Sequence, residues 1–359
     1  MRLSASAPLF LVALLVLALA DPISAKEKKN FPFCKGRFAP TPERCAKFNF
    51  PKTPGERTCI EPKNGTDFFD ISKLPTTTLS AHGRKVAQLI TNVFENGGTQ
   101  FEWQYVERLG DGRGFTCGRV GFTTGTNDAL AVVKNYTAAK ENNLLAKYVP
   151  ELERISKLSF CDTKQRDDTS NLQGFDAAWR ESACTDAEFR KIQDQAVING
   201  YMEPALRFAA LAKVESDLGK AIMFDTIIQN GWHYTEPDIN IWRILNLSGG
   251  SRREDESEED FLTRFITTRH ELVCCANDDV WPESGDRMDD WMTVIKSKNL
   301  NLKKPVKLKN FEVTVTGKED TEKVNEKECK SFLGKAKQSK ASNRLAASKK
   351  KGKRCPKKK

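Results

Sequence analysis

The sequence predicts an α+β fold that is mainly α-helical and contains one small antiparallel sheet. Apolar residues recur at helical spacing through most of residues 80–298, which is typical of amphipathic helices around a core. A short alternation of apolar and polar residues at 101–105 predicts a strand, and a glycine-rich turn follows at 110–114. With 359 residues, the chain is long enough for one large domain or two lobes.

The first 25 residues have the features of a secretion signal. Arg2 precedes an apolar run at residues 9–20, and small residues near positions 20 and 25 provide two cleavage sites. The run is shorter than the roughly 20 residues that a membrane-spanning helix needs, and no later segment is apolar enough. We therefore expect a secreted, soluble protein whose signal is cleaved after residue 25 or after residue 20.

Ten cysteines suit the oxidising environment of a secreted protein, where they form structural disulfides. One sequence does not reveal how they pair. A zinc site is a poor alternative, because no CxxC pair recurs and the three histidines lie far from cysteine pairs. Residues 26–79 are rich in Pro, Lys and Cys and predict a disulfide-tied arm, with a carbohydrate-binding module as the alternative. Asn64, Asn135 and Asn246 begin triplets that accept glycans in eukaryotes.

Helical patterns then follow one another along the chain. In the first, residues 86, 89, 90, 93 and 94 form one apolar face, and Gly97 and Gly98 supply a stop signal. Pro150 lies in the first turn of a later helix. Residues 161–173 are polar and predict a loop or a connection between lobes. The predicted helices cover residues 80–95, 129–139, 144–148, 150–158, 175–181, 186–198, 205–229, 258–275 and 286–298.

The basic charge is concentrated at the C-terminal end. Residues 303–359 contain 20 Lys/Arg and 6 Asp/Glu, whereas residues 1–302 contain 38 Lys/Arg and 42 Asp/Glu. Residues 311–316 predict a short strand, and residues 335–359 lack the apolar residues that a core requires. We therefore divide the mature chain into an extension at 26–79, a folded domain at 80–308 and a largely disordered tail at 309–359. Such a tail is either a solvated coil or a segment that contacts an anionic surface.

Two carboxylates border the predicted hairpin in contrasting surroundings. Glu95 lies at a helix end, where the helix dipole and neighbouring phenylalanines disfavour a charged carboxylate. Asp111 lies among glycine amides and two residues from Arg113, which favour the ionised form. Glycoside hydrolysis requires one protonated and one ionised carboxyl, and Thr116 is placed to position a water for Asp111. The alternative is an ordinary hairpin in which Glu95 is a surface residue and Asp111 a turn residue, because such a hairpin has the same spacing.

A specific set of residues surrounds this pair. It consists of Glu95, Asn96, Tyr105, the run GDGRGFT from Gly110 to Thr116, Gly121, Phe122, Thr124, Gly125, Thr126 and Asp128, with further matches at 146–150, 203–205, 224–225 and 299–302. Together these residues resemble the signature of glycoside hydrolase family 46, the chitosanases. The resemblance covers about residues 80–308 and leaves out the N-terminal extension and the basic tail.

The resemblance implies an endo-acting, inverting hydrolase that cleaves β-1,4 linkages between glucosamine residues in chitosan. It also implies a lysozyme-like fold of two mainly helical lobes, with the small sheet beside the substrate cleft. By the same resemblance, Glu95 is the general acid, Asp111 is the general base, and Thr116 holds the attacking water.

The resemblance further assigns residues around the catalytic pair. An Arg–carboxylate–Arg network that adjusts the acid falls on Arg269, Glu203 and either Arg252 or Arg253. The predicted substrate-binding residues are Asp128, Arg113, Glu203 and Arg269.

The expected partner is chitosan, a polycation at mildly acidic pH, which suits the acidic balance of residues 1–302. The predicted mechanism needs no cofactor and no metal, and we expect a monomer that requires no nucleic acid and inserts into no membrane. One alternative is a lysozyme-like hydrolase of chitin or peptidoglycan, substrates that lack free amines. The other is a catalytically inactive protein that binds glucosamine polymers, which would need neither Glu95 nor Asp111.

Overall fold

A computed structural model describes residues 31–53, 58–61, 70–233, 237–276 and 281–334. The predicted signal, the triplet at Asn64 and residues 335–359 lie outside the described residues. The described chain is mainly helical, with one three-stranded antiparallel sheet and one two-stranded hairpin, which confirms the predicted fold class. None of the helices in these ranges has both the length and the apolar character of a membrane span.

The helices follow the predicted order closely. A 3₁₀ turn at Ala146–Tyr148 replaces the helix predicted at 144–148, and a π-helical turn at Ile198–Met202 joins two later helices. The α-helices that lie wholly within the described residues are α1 (Pro42–Ala46), α2 (Ala81–Asn96), α3 (Asp128–Ala139), α4 (Val149–Ser156), α5 (Thr163–Arg166), α6 (Phe175–Thr185), α7 (Ala187–Val197), α8 (Glu203–Leu211), α9 (Asp217–Asn230), α10 (Ile241–Leu247), α11 (Glu258–Cys275) and α12 (Gly285–Lys296).

α9 is the central helix of the fold. All but three of its 14 residues are buried, so nearly every side of the helix faces the core. α2 and α8 both pack along α9, and α11 packs against α12. The end of α2, where Glu95 lies, is therefore supported by the core.

The single helix predicted over residues 205–229 is wrong, because two helices, α8 and α9, occupy this range. Lys213 has a left-handed backbone with φ of 58°. The side chain of Ser216 then caps α9 by accepting a hydrogen bond from the Gly219 N–H at 2.9 Å. A serine N-cap followed by an acidic first turn is a helix start signal, and here it outweighs the continuous apolar pattern.

The three-stranded sheet consists of β1 (Val106–Arg108), β2 (Phe115–Cys117) and β3 (Phe122–Thr123). β2 is the middle strand, so that Thr116 lies opposite Glu107 in β1 and Thr123 in β3. β2 ends at Cys117, and β3 has no separate signal in the sequence.

The strand predicted at residues 101–105 does not form. The carbonyl oxygen of Trp103 accepts hydrogen bonds from the side chains of Trp179 and Gln193, both at 3.1 Å, instead of from a neighbouring strand. Gln104 is as deeply buried as Phe101 and Trp103, so the polar and apolar residues do not separate onto two faces. Strand pairing begins only at β1.

The domain boundary predicted at residue 308 lies inside a β-hairpin. β4 (Val306–Leu308) pairs with β5 (Val313–Val315) in antiparallel register, as the predicted strand at 311–316 suggested. Asp290 of α12 accepts hydrogen bonds from the backbone N–H groups of Lys309 and Asn310, at 2.8 and 3.1 Å. Residues 326–334 are helical. The prediction of a disordered tail is therefore wrong for residues 309–334.

The cysteine pairing, which the sequence left open, ties both ends of the described chain to its middle. Eight of the ten cysteines form bridges. Cys117 is a buried free thiol whose pKa burial raises well above its usual value, and Cys355 lies outside the described residues. Three bridges join the N-terminal extension to the folded domain, in agreement with a disulfide-tied arm. The bridges are Cys34–Cys274, Cys45–Cys275, Cys59–Cys161 and Cys184–Cys329.

The first described part of the arm, residues 31–53, packs against α11 and α12. The carbonyl oxygen of Phe33 lies 3.0 Å from Nε2 of His270, and the Phe38 ring stacks on the same imidazole at 3.7 Å. A Cβ on Gly285 would lie 2.7 Å from the Cβ of Phe33, so the close contact with α12 requires glycine. Burial lowers the pKa of His270 to about 4, although the hydrogen bond to Phe33 opposes the shift.

We expect the protein to lose stability between pH 6.5 and pH 4 because His270 must take up a proton. Its pKa is about 4 in the folded protein and ordinarily 6.5, so the unfolded chain binds more protons in this interval. The contribution of neutral His270 is complete above pH 6.5 and decreases as the pH falls towards 4. The free energy of unfolding should decrease by about 3 kcal/mol from this residue, as measured by urea unfolding.

His270→Gln is the matched control, because glutamine keeps an N–H for the Phe33 carbonyl but does not titrate. The charged groups that act on His270, namely Asp289, Arg37 and Glu271, are unchanged in this variant. The variant should therefore show a shallower pH dependence than the parent. An identical pH dependence in both proteins would contradict the assignment to His270.

Candidate active site

Glu95 lies in the last turn of α2, at the helix end that the sequence predicts. The Ser80 side chain caps the start of α2 by accepting a hydrogen bond from the Gly83 N–H at 2.9 Å. Gly97 ends the helix with φ of 73°, and its N–H donates to the Val93 carbonyl at 2.8 Å. The Glu95 side chain is 32% exposed, so the carboxyl is accessible from solvent.

A chain of alternating charges extends from Glu95 into the core. Glu95 accepts a hydrogen bond from Nη2 of Arg287, which belongs to α12. Nε of Arg287 lies 3.3 Å from Oδ1 of Asp225, and Arg269 Nη1 donates to Asp225 Oδ2 at 2.7 Å. Trp291 Nε1 donates to the same Asp225 oxygen at 2.9 Å. Helices α2, α9, α11 and α12 therefore meet at one network.

Both arginines of this network are charged at neutral and acidic pH. Burial opposes the charge on Arg287, but Asp225 and Glu95 outweigh it and raise its pKa. Burial lowers the pKa of Arg269 to about 10, still well above neutral pH. The charges of the four side chains cancel when both carboxyl groups are ionised. Protonation of Glu95 would leave one excess positive charge.

The network differs from the one that the sequence predicted. Glu203 is exposed and pairs with Arg207 at 2.9 Å, and Arg252 pairs with Glu215 at 3.2 Å. The carboxylate of the network is Asp225 instead. Arg269 belongs to the network as predicted, but its side chain is completely buried, so its predicted contact with substrate is wrong.

Sequence reasoning missed the roles of Asp225 and Arg287. Asp225 interrupts the apolar run of α9, and a charge in a buried helix needs an opposite charge nearby. That signal identifies Asp225 as a paired residue, but it does not identify the partners, which lie on other helices. Arg269, for example, is 44 residues away.

Asp111 lies in the turn between β1 and β2. Gly110, Gly112 and Gly114 have φ of 73°, 84° and 74°, a left-handed conformation that glycine adopts without strain. The backbone N–H of Arg113 donates to Asp111 Oδ1 at 3.2 Å, and its Nε donates to Oδ2 at 2.9 Å. Nη2 of Arg113 is 2.8 Å from the same Oδ2. Arg113 thus supplies the counter-charge that the sequence predicted.

Thr116, in the middle strand, has a buried hydroxyl that finds no hydrogen-bond partner among the described residues. Its methyl group faces Gly121, where an added Cβ would lie 3.2 Å away. Buried hydroxyls are normally hydrogen-bonded to protein or to ordered water. The free hydrogen-bonding capacity suits the predicted role of holding a water, which stays a prediction.

Asp128, the first residue of α3, is bound to the protein through both carboxylate oxygens. Oδ1 accepts hydrogen bonds from the N–H groups of Thr123 and Ala129 at 2.8 and 3.0 Å, and from the Thr126 hydroxyl at 2.9 Å. Oδ2 accepts one from the Tyr201 hydroxyl at 2.9 Å. Burial raises the pKa of both Asp128 and Tyr201. Asp128 thus supports the edge of the sheet, and its contact with substrate stays a prediction.

Arg119, between β2 and β3, connects the hairpin to the helix that carries Glu95. Its Nη2 donates to Gln88 of α2 at 2.8 Å, and its Nη1 pairs with Asp194 of α7. The guanidinium also lies 3.8 Å from the centre of the Phe101 ring. Arg119 and Glu95 line the same narrow recess, so the connection between β2 and β3 borders the end of α2.

The three histidines have structural contacts away from this site. Nε2 of His82 lies 2.9 Å from the Leu302 carbonyl oxygen, His233 stacks on Trp232, and His270 contacts the arm. Within the described ranges, no group of three or more His, Cys, Asp or Glu side chains is arranged to hold a metal ion.

Comparisons with known proteins identify relatives of this chain. The sequence profile of Glycosyl hydrolase family 46 matches residues 89–306, which include Glu95, Asp111 and the whole charged network. A chitosanase from Bacillus subtilis (strain 168) is 41% identical over 241 residues, covering 65% of this chain and 84% of the relative. The arm and residues 307–334 lie outside the matched profile.

Solved structures agree with the sequence match. Native chitosanase from Bacillus subtilis MY002 has a TM-score of 0.59 at 38% identity, covering 66% of this chain and 100% of that protein. A mutant chitosanase from the same strain, complexed with 6 GlcN, has a TM-score of 0.57 at 40% identity, covering 64% and 95%. These neighbours have a lysozyme-like fold, which confirms the predicted architecture.

Proposed function

The chain belongs to glycosyl hydrolase family 46, and on that premise we propose that it is a secreted, endo-acting and inverting chitosanase. It cleaves β-1,4 linkages between glucosamine residues, with Glu95 as general acid and Asp111 as general base. The observation that carries this proposal is a pair of partly exposed carboxylates, each held by its own arginine, on a helix end and in a glycine turn.

Glu95 donates its proton to the oxygen of the leaving sugar. The transfer leaves a carboxylate, and Arg287 already contacts the oxygen on which the negative charge develops. Asp225 and Arg269 hold Arg287 from behind, so the guanidinium need not reorganise during the reaction. The charge balance supports this role, because the four charges cancel only after Glu95 has lost its proton.

Asp111 takes a proton from the water that attacks the anomeric carbon. Arg113 holds both carboxylate oxygens and fixes the orientation of the base. The Thr116 hydroxyl, which is free of partners among the described residues, holds the water. One proton thus moves from water to Asp111 while another moves from Glu95 to the leaving group, and solvent restores both groups.

Inversion requires that the acid and the base act from opposite faces of the scissile bond, with room for a water beside the base. Glu95 and Asp111 belong to separate elements, α2 and the β1–β2 turn, and we propose inversion from the family to which the chain belongs. A mechanism with a covalent intermediate would instead bring the second carboxylate directly to the sugar.

The charge of the protein and its relatives both favour chitosan as the substrate. Acidic residues outnumber basic ones in residues 1–302, which suits a polymer of protonated amines. The related chitosanase from Bacillus subtilis MY002 is complexed with 6 GlcN. The basic residues 335–359 would repel such a polymer, so we give them no part in substrate binding and assign them to contact with an anionic surface.

Secretion is proposed from one feature of the sequence and one of the structure. The N-terminal residues have the pattern of a signal, and four disulfides form among the described cysteines. Such bridges persist in oxidising environments outside the cytosol. N-terminal sequencing of the exported protein would identify the cleavage site.

Viscometry of the purified protein with chitosan, chitin and peptidoglycan separates the proposed function from its alternatives. An endo-acting chitosanase lowers the viscosity of chitosan rapidly while releasing few reducing ends, and it leaves chitin and peptidoglycan nearly unchanged. Cleavage of chitin or peptidoglycan alone would support the lysozyme-like hydrolase. Binding to chitosan without any loss of viscosity would support an inactive binding protein.

We expect the first products of chitosan cleavage to have the α-anomeric configuration. A single displacement at the β-linked carbon inverts its configuration. Proton NMR during the first turnovers distinguishes the two anomers before mutarotation mixes them. Initial formation of the β-anomer would contradict the inverting mechanism and the role of Asp111 as a base.

A further inference from the structure

The turn that carries Asp111 rests on a segment that we call the docking segment, residues 163–167. It consists of α5 and Asp167, and the sequence predicted it to be part of a polar loop. A Cβ on Gly112 would lie 3.1 Å from the Cβ of Thr163, so the turn lies directly against α5. This contact leaves no space for a side chain at Gly112 without displacement of the turn.

Asp167 binds both ends of this turn through one carboxylate. Oδ1 accepts a hydrogen bond from the Gly114 N–H at 2.9 Å. Oδ2 accepts one from Nη2 of Arg108 at 2.7 Å, and the Asp167 carbonyl oxygen lies 3.3 Å from the same nitrogen. Arg108 is the last residue of β1, and Gly114 immediately precedes β2. The Asp167 carboxylate therefore bridges the turn at its base.

The docking segment is itself fixed to the protein. Arg166 is only 4% exposed, and its guanidinium donates to the carbonyl oxygens of Gly125, Leu158 and Ser159 at 2.5, 2.7 and 2.9 Å. The Gly125 N–H in turn donates to the Arg113 carbonyl at 2.9 Å, so the docking segment is also connected to the turn through Gly125. The segment is thus a rigid support.

The contacts of Asp111 itself do not fix the turn relative to the sheet. Its hydrogen bonds to the described residues come from Arg113, which belongs to the same turn and has a 53% exposed side chain. A base must lie within hydrogen-bond reach of the water it activates, and that water is proposed to lie on Thr116 of β2. The bridge through Asp167, together with the bond from Gly125 to the Arg113 carbonyl, holds the turn in register with β1 and β2.

We infer that Asp167 is a positioning residue for the general base, acting on Asp111 through Gly114 and Arg108. This inference rests on the proposed function of Asp111. Both carboxylate oxygens of Asp167 are bound by the ends of the turn, so we assign its effect to the placement of Asp111. A displacement of about 1 Å at a catalytic group is enough to lower a rate by about 100-fold.

Asp167→Ala should lower kcat on chitosan by about 10- to 100-fold and change KM by less than about three-fold. Asp167→Asn keeps an acceptor for the Gly114 N–H but loses the charge that pairs with Arg108, so its loss should be smaller. Asp168→Ala is the matched control, because the neighbouring carboxylate accepts hydrogen bonds from Ser170 and none from the turn. It should retain the parent rate.

A double-mutant cycle with Asp111→Asn separates positioning of the base from general support of the fold. If Asp167 acts through Asp111, Asp167→Ala should cause less than about a three-fold further loss when Asp111 is already asparagine. Equal losses in the two backgrounds would overturn the inference and leave a structural role. If Asp167→Ala does not fold, the same cycle is run with Asp167→Asn and decides in the same way.

The cycle also distinguishes failure of the inference from failure of the proposed function. If Asp111→Asn alone keeps the parent rate, Asp111 is not the base and the proposed function fails. If Asp111→Asn is slow but Asp167→Ala stays within about two-fold of the parent, only the positioning role is refuted.

Discussion

Replacing Glu95 with glutamine is expected to lower kcat on chitosan by about 100-fold or more. Glutamine can accept the hydrogen bond from Arg287 but has no proton to give to the leaving sugar. In the variant, Arg287, Asp225 and Arg269 together carry one net positive charge, which the uncharged glutamine does not balance. The parent has the same net charge when Glu95 is protonated. Arg287 keeps an acceptor in the variant, so the loss should appear in kcat with little change in thermal stability.

Two comparisons isolate proton donation as the cause. Glu153→Gln removes an ion-paired helix glutamate far from the hairpin, since Glu153 contacts Lys134 of α3 at 2.9 Å, and it should retain the parent rate. A substrate with an acidic phenol as leaving group needs little protonation, so the deficit of Glu95→Gln should become much smaller on it. A variant that kept near-parent activity on chitosan would remove Glu95 from the mechanism.

Local signals in the sequence predicted the helices well. α11 occupies the predicted residues 258–275, because a serine cap at Ser257 and an acidic first turn begin it clearly. α2 ends where Gly97 provides a left-handed residue. The long helix over 205–229 was wrong since its apolar pattern was given more weight than the cap at Ser216. Periodicity reports which residues face the core, but it does not report where one buried helix stops and the next begins.

The features that the sequence did not predict depend on contacts between distant residues. Arg287 lies 192 residues from Glu95, and Cys34 lies 240 residues from Cys274. Neither pairing has a local signature, because any arginine or cysteine at the right place in space would satisfy it. The sequence indicates that Asp225 needs a partner, but the partners are known only from its side-chain contacts with residues of α11 and α12.

The residues of the candidate site also divide into those with a local signal in the sequence and those without one. Glu95 and Asp111 were found because a helix end and a glycine turn are local features. Asp167 was overlooked because residues 161–173 are polar and resemble an ordinary loop, and its importance comes only from the bonds to Arg108 and Gly114. The predicted roles of Glu95 and Asp111 await the kinetic tests.

Replacing Asp111 with asparagine should also lower kcat on chitosan by about 100-fold or more, for a different reason. Asparagine can still accept a hydrogen bond from Arg113, so the turn keeps its main internal contact. The amide, however, cannot take a proton from the attacking water. The leaving group can still be protonated by Glu95, and the rate should therefore remain low even on a substrate with an acidic phenol as leaving group, in contrast to Glu95→Gln.

Azide provides a direct test of which side of the bond Asp111 serves. In Asp111→Ala the side chain is removed, and a small anion has room to attack the anomeric carbon without needing a base. Azide should then raise the rate of Asp111→Ala and yield an α-glycosyl azide, because the attack comes from the face that water normally uses. The same addition should give no α-azide with Glu95→Gln, in which Asp111 still occupies that face. Formation of a β-azide from Asp111→Ala would place Asp111 on the wrong face of the sugar and refute its role as the base.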